Sequence, residues 1–206
     1  MMDKHLLICQ IKTVRDLAPL VSGTTEIGER NTIVLHLKKD CFNAMEDTEF
    51  EQVKRILFDP NIIAILIIDC EFSMSLYEKM YVFDLCFVSN GGALQFDPKH
   101  ENGLRFLHLL FSPKTSLGKE ARILDYQELQ NYGFANAFLR KESLIEDLES
   151  EIRSLTMDRT REQLYGIKSC MNAYKDCCLF GKTLITDPEP SCFCQLALLK
   201  TEEDKK

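Results

Sequence analysis

Long apolar runs and short amphipathic stripes divide this chain, and two of the runs lie at its centre: Ile62–Asp69, IIAILIID, and Asp84–Ser89, DLCFVS. The first is rich in β-branched residues and carries no charge before its last position, which predicts a strand buried on both faces. The Ser75–Val82 segment between the runs has helix formers and neither Gly nor Pro, which predicts a short helix. Strand, helix, strand is the parallel crossover unit, its second strand lying beside the first through a right-handed connection. The pattern therefore predicts an α/β domain built around this unit. Ligands of such sheets bind at the carboxyl ends of the strands. That marks Asp69, Cys70 and Ser75, and then Ser89, Gly91 and Gly92, as candidate ligand contacts.

Before this unit, residues 5–11 and 32–37 (HLLICQI and TIVLHL) predict strands, and the polar, Gly-bearing stretch 12–31 predicts a turn between them. Asn43 or Asp47 can cap a helix running to about Leu57, with Met45, Phe50, Val53, Ile56 and Leu57 on one stripe. Asp59-Pro60 stops it, because a residue before Pro is pushed out of the helical region. After the unit, SNGG (89–92) predicts a turn, ALQF (93–96) a short strand, and 97–103 a polar loop. Leu104–Phe111 suits helix or strand, and Tyr126–Tyr132 a helix ended by Gly133. FANAFL (134–139) suits a strand or extended segment. Lys141–Leu155 and Arg159–Tyr174 predict two amphipathic helices, the second striped by Leu164, Ile167, Met171 and Tyr174. The organisation expected is an α/β core over 1–139, a helical region over 140–200 and a frayed charged tail over 201–206.

At 206 residues, 45% of them apolar, the chain can bury one core and carry a small appendage. A net charge of −7 argues against unspecific nucleic-acid binding and against an anionic membrane surface. No apolar run reaches the length that spans a bilayer, and the amino terminus lacks the pattern of a signal peptide. The expectation is a soluble, cytoplasmic protein. The nine cysteines form neither a Cys-x-x-Cys knuckle nor a Cys/His ladder, so they are read as reduced thiols, with no metal site.

The order of motifs from TIVLHL through FNAMEDTEFEQVKRILFDPNIIAILIID resembles the opening of the crotonase (enoyl-CoA hydratase/isomerase) superfamily. Asn43-Ala44-Met45, Asp59-Pro60 and Ile62–Ile68 are similar in order and spacing to that family's N-A-L/M helix and the D-P and apolar run of its next strand. YEKMYVFDLCFVS resembles its C-E-L-A helix and next strand, and LDYQELQNYGFANAF a later segment. The resemblance implies a ββα-unit core with a carboxyl-terminal helical oligomerisation region, and a trimer or hexamer. It also implies an acyl thioester of coenzyme A, or of the phosphopantetheine arm of an acyl carrier protein, as ligand. By the same resemblance Glu78 and Glu101 fall near the two catalytic carboxylates, one base and one acid. Each also suits an ordinary solvated position, Glu78 beside Lys79 on a short helix. His100 and His108 flank an apolar run, which suits packed or exposed histidines better than catalytic ones.

The chain departs from the family's pattern where its chemistry resides. Asp69 and Glu78 stand only nine positions apart, so the segment carrying one half of the oxyanion hole is absent. Met74-Ser75-Leu76 replaces the glycine run that supplies the other half. A hole needs two backbone donors, and losing one costs about 10²–10³ in rate. Two functions remain open at this point. One is a degenerate crotonase-like protein, a non-catalytic or partner-dependent subunit beside a full-length homologue, or a binding module. The other is a working hydratase/dehydratase, isomerase or decarboxylase of acyl thioesters. A faint likeness of the carboxyl-terminal segment to crotonase-like proteins of polyketide β-branching adds a pathway expectation to the second.

Overall fold

The computed structural model describes residues 6–22, 32–111, 119–157 and 159–180. They fall into two compact units, 1–152 and 153–206.

In the first unit, five strands form a parallel sheet in the order β1-β2-β3-β5-β8, with β1 Leu6–Ile11, β2 Thr32–Leu37, β3 Ile63–Ile68, β5 Leu85–Ser89 and β8 Ala137–Leu139. The β2 and β3 expectations hold nearly to the residue, because an uninterrupted apolar run fits only a strand covered on both faces. Val34, Ile65, Ile67, Phe87 and Leu139 share one buried cluster with Leu144 and Leu148 of a following helix. The predicted crossover is present: β3 pairs parallel with β5, Ile65 opposite Leu85 through Ile68 opposite Val88.

A smaller sheet joins β4 Glu71–Ser73, β6 Ala93–Phe96 and β7 Arg122–Leu124; β4 and β6 are parallel, β6 and β7 antiparallel. The alternation pattern missed β4 and β7, since three residues are too few to show a period. Residues 12–22 are not the expected turn. A 3₁₀ turn at Val14–Leu17 leads into α1, Ala18–Val21, because β1 and β2 are parallel and a parallel pair needs a crossover. The rest of that stretch, 23–31, lies outside the described residues.

The helix α2 runs Asp47–Leu57 with Phe50, Val53 and Leu57 buried. Its cap is neither Asn43 nor Asp47. Glu46 precedes the helix, and its backbone N–H donates to Glu49 Oε2 at 3.2 Å, while Asn43 lies in a separate 3₁₀ turn at Phe42–Ala44. The expected 75–82 helix is a 3₁₀ turn, Met74–Leu76, continued by α3, Tyr77–Met80. Next, α4 spans Glu101–Phe111, beginning inside the stretch expected to be loop. Then α5, Tyr126–Tyr132, is capped by Asp125, which accepts from the Glu128 amide at 2.9 Å, and ends at Gly133 with φ 74°. A 3₁₀ turn at Lys141–Ser143 opens α6, Leu144–Thr156.

In the second unit, α7 spans Arg161–Phe180. Its expected apolar stripe does not coincide with its buried positions: Ile167 and Tyr174 are exposed, whereas Lys168 and Lys175 are buried. Long lysine stems bury readily along apolar surface. The CFCQLALL segment and the charged tail lie outside the described residues.

Candidate functional site

Parallel pairing brings the carboxyl ends of β2, β3, β5 and β8 to one edge, and the residues there meet although they are far apart in sequence. Asp69, just past β3, is buried. Its Oδ2 lies 2.6 Å from Lys38 Nζ, just past β2, and 3.4 Å from His36 Nε2 within β2. Its Oδ1 accepts from Ser89 Oγ, the last residue of β5, at 2.5 Å and lies 3.0 Å from Lys141 Nζ, just past β8. Burial alone pushes the Asp69 carboxyl up, but the hydrogen bonds from Lys38, Ser89 and Lys141 outweigh it and hold the group at about 2. Burial, and then the Lys38 charge, pushes His36 below its ordinary value. Its Nε2 makes no hydrogen bond.

Of the candidate ligand contacts, Asp69 and Ser89 are therefore bonded to each other inside this cluster. Gly91 stands over it: a Cβ there would overlap Asp69 Oδ1 and reach 2.7 Å from Lys141 Nζ. Gly92 is buried against Val88 and the Ile68 carbonyl. Cys70 is half-buried, its thiol pushed up to about 12 by burial and then by the Asp40 and Asp69 charges.

Ser75 belongs to a second cluster. Its Oγ donates to Asn43 Oδ1 at 2.6 Å and lies 2.8 Å from Ser73 Oγ. Asn43 Nδ2 donates to Asp40 Oδ2 at 2.8 Å, and both the amide and the hydroxyl of Ser73 donate to the same oxygen, at 3.1 and 3.2 Å. Burial pushes the Asp40 carboxyl up against these bonds.

One helical turn on, Glu78 shares the polar side of the 74–80 helix with Ser75, while Met74, Leu76, Tyr77 and Met80 are buried. The group facing Glu78 is His100: its Nδ1 lies 3.6 Å from Glu78 Oε1, and both side chains are about one-third exposed. Glu101 is exposed in the first turn of α4. His100 is the cap of that helix, since the Leu104 amide donates to its carbonyl at 3.0 Å and the Gly103 amide to its Nδ1 at 3.1 Å.

Sequence reasoning missed His36, Lys38 and Lys141 as members of the Asp69 cluster, and His100 as the partner of Glu78. For the lysines, a usable signal was position: Lys38 directly follows β2, and Lys141 comes two residues after the end of β8. Among the described residues, no group of three or more His, Cys, Asp or Glu could hold a metal, and no helix is long and apolar enough to cross a membrane.

No protein-family model matches the chain, and no curated protein matches it in sequence. Solved structures do. An enoyl-CoA hydratase/isomerase family protein from Hyphomonas neptunium superposes with a TM-score of 0.64 at 14% identity, covering 95% of this chain and 87% of that one. An enoyl-CoA hydratase/isomerase from Marinobacter aquaeolei gives 0.60 at 10% identity, over 99% and 89%. A Thermobifida fusca protein named as an enoyl-CoA hydratase gives 0.61 at 15% identity, over 100% and 93%, and was solved with CoA and with acetoacetyl-CoA. At such identities the likeness establishes architecture, and it agrees with the parallel sheet and the crossover unit. The chain therefore has the crotonase fold, the fold of the enoyl-CoA hydratase/isomerase family.

Proposed function

We propose that this chain is a crotonase-fold binding protein for an acyl thioester, of coenzyme A or of a carrier-protein arm, that does not carry out enolate-type hydration. The observation that supports this best is the length of the β3–β4 connection. Strand β3 ends at Ile68 and β4 begins at Glu71, leaving only Asp69 and Cys70 between them. Two residues, one of them locked by lysines, leave no turn whose amide could meet a substrate carbonyl. The remaining donor, the Ser75 amide in the first turn of its helix, would act alone, at a cost of about 10²–10³ in rate. The second carboxylate is also displaced, since the group opposite Glu78 is an imidazole that caps α4. A subunit role beside a homologue with the complete loop, in a trimer or hexamer, fits a fold kept without its chemistry.

The competing function is an acyl-thioester enzyme, and the retained Glu78, paired with His100, favours it. Thermal-shift titration with CoA and acetoacetyl-CoA, followed by assay of crotonyl-CoA hydration, separates the two. A midpoint that rises with ligand concentration, without turnover above background, is expected. Turnover abolished by Glu78→Gln would establish the enzyme instead. No shift with either ligand would remove the thioester from both.

A further inference from the structure

His100 Nδ1 has two competing partners that demand opposite protonation states. The Gly103 amide donates to it at 3.1 Å, which requires a lone pair on Nδ1 and leaves the ring proton of the neutral imidazole on Nε2. Glu78 Oε1 stands 3.6 Å from the same nitrogen and is an acceptor, so it can bond Nδ1 only when that atom carries a proton. We propose that His100 is a proton-operated latch between α3 and α4. Neutral, it caps α4 through Gly103; protonated, it releases the Gly103 amide and turns Nδ1–H to the Glu78 carboxylate.

The surroundings make the two states distinct. The positive end of the α4 backbone dipole opposes a cation at the cap position, whereas Glu78 from α3 favours it. The 3₁₀ turn packed against α4 contributes Met74, Ser75 and Leu76, none of them charged. On its own segment the charged neighbours of His100 are Asp97, Lys99 and Glu101, with Arg105 a turn further on. Gly103 transmits the change. It is buried, and a Cβ there would come within 2.6 Å of the Met74 carbonyl and 2.9 Å of His100 Nδ1. The first turn of α4 thus rests directly on the peptide that precedes Ser75 and Glu78. Losing the cap loosens that contact, so one proton alters the spacing of the two helices that carry the candidate site's polar side. The latch is a property of the chain itself and does not depend on what the site binds.

The test is a pH titration of the full chain by NMR, following the His100 ring nitrogens and the Gly103 amide in wild type, Glu78→Gln and His100→Asn. The latch predicts the Nε2–H tautomer at high pH and a Gly103 amide that moves with the same midpoint as the His100 ring. In Glu78→Gln the protonated ring loses its carboxylate acceptor, so the change in the Gly103 amide across the titration should shrink. In His100→Asn, where Asn still caps but cannot titrate, the Gly103 amide should become indifferent to this transition. A Gly103 amide that ignores the His100 titration, an Nδ1–H tautomer at high pH, or a Gly103 response left unchanged by Glu78→Gln would each overturn it.

Discussion

Lys38 Nζ lies 2.6 Å from Asp69 Oδ2, a carboxylate with no exposed side-chain surface of its own. A carboxyl held at about 2 in the fold and near 3.9 in the unfolded chain stabilises the fold above pH about 4 and ceases to do so as the pH falls towards 2. The difference corresponds to about 2–3 kcal/mol. Asp69→Asn should therefore lower the unfolding free energy at neutral pH by about that amount and flatten the acid limb between pH about 4 and 2. Urea titrations at stepped pH measure both. An acid limb of unchanged steepness would mean that other carboxylates carry it.

His36 shifts in the direction that makes acid unfavourable at a higher pH. Burial and then Lys38 hold it below its ordinary 6.5, so the unfolded chain binds a proton that the folded chain refuses. Stability should fall as the pH drops below about 6.5. The same urea series on His36→Gln should lose the part of the slope that begins just below pH about 6.5.

Cys70 should be unreactive in the native protein. A thiol at about 12 is almost wholly protonated at pH 8, and the thiolate is the nucleophile. Iodoacetamide footprinting read by mass spectrometry should label Cys70 only after denaturation. Rapid native labelling at pH 8 would contradict its buried setting.

Gly103 should tolerate no side chain. A Cβ within 2.6 Å of the Met74 carbonyl meets backbone, which cannot rotate away, so Gly103→Ala should destabilise by about 1–3 kcal/mol. Gly91→Ala presses instead on Lys141, whose long side chain can move, and on Asp69, which cannot. Its cost should be relieved only in part by Lys141→Ala. Chemical denaturation of the three variants compares them.

The parts of the fold that were legible before the structure are those decided by local pattern. The runs TIVLHL and IIAILIID became β2 and β3 because an uncharged β-branched run has one favourable environment, the middle of a covered sheet. Gly133 ends α5 as expected because a left-handed residue acts within one turn of its own position, whereas the Asp125 cap emerged only in the structure. The short strands β4 and β7 were not legible, since their residues are selected by pairing with β6 rather than by a period of their own. At the site, Glu78 and Glu101 came from the family resemblance and Ser75 from its place beyond a strand end, while the group that the structure sets 3.6 Å from Glu78 is His100, one residue before Glu101. One residue on a helix turns a side chain by about 100°. Which of two neighbours faces α3 was fixed when His100 became the cap.

The sequence by itself determined the strand runs, the central crossover and the short spacing between Asp69 and Glu78, because each is a property of contiguous residues. Tertiary structure decided which charges meet. Lys38, Asp69, Ser89 and Lys141 converge only because four parallel strands end in register at one edge, and burial of Asp69 there makes their contact strong. His100 was paired with Glu78 by the packing of α4 on α3, a distance no periodicity encodes.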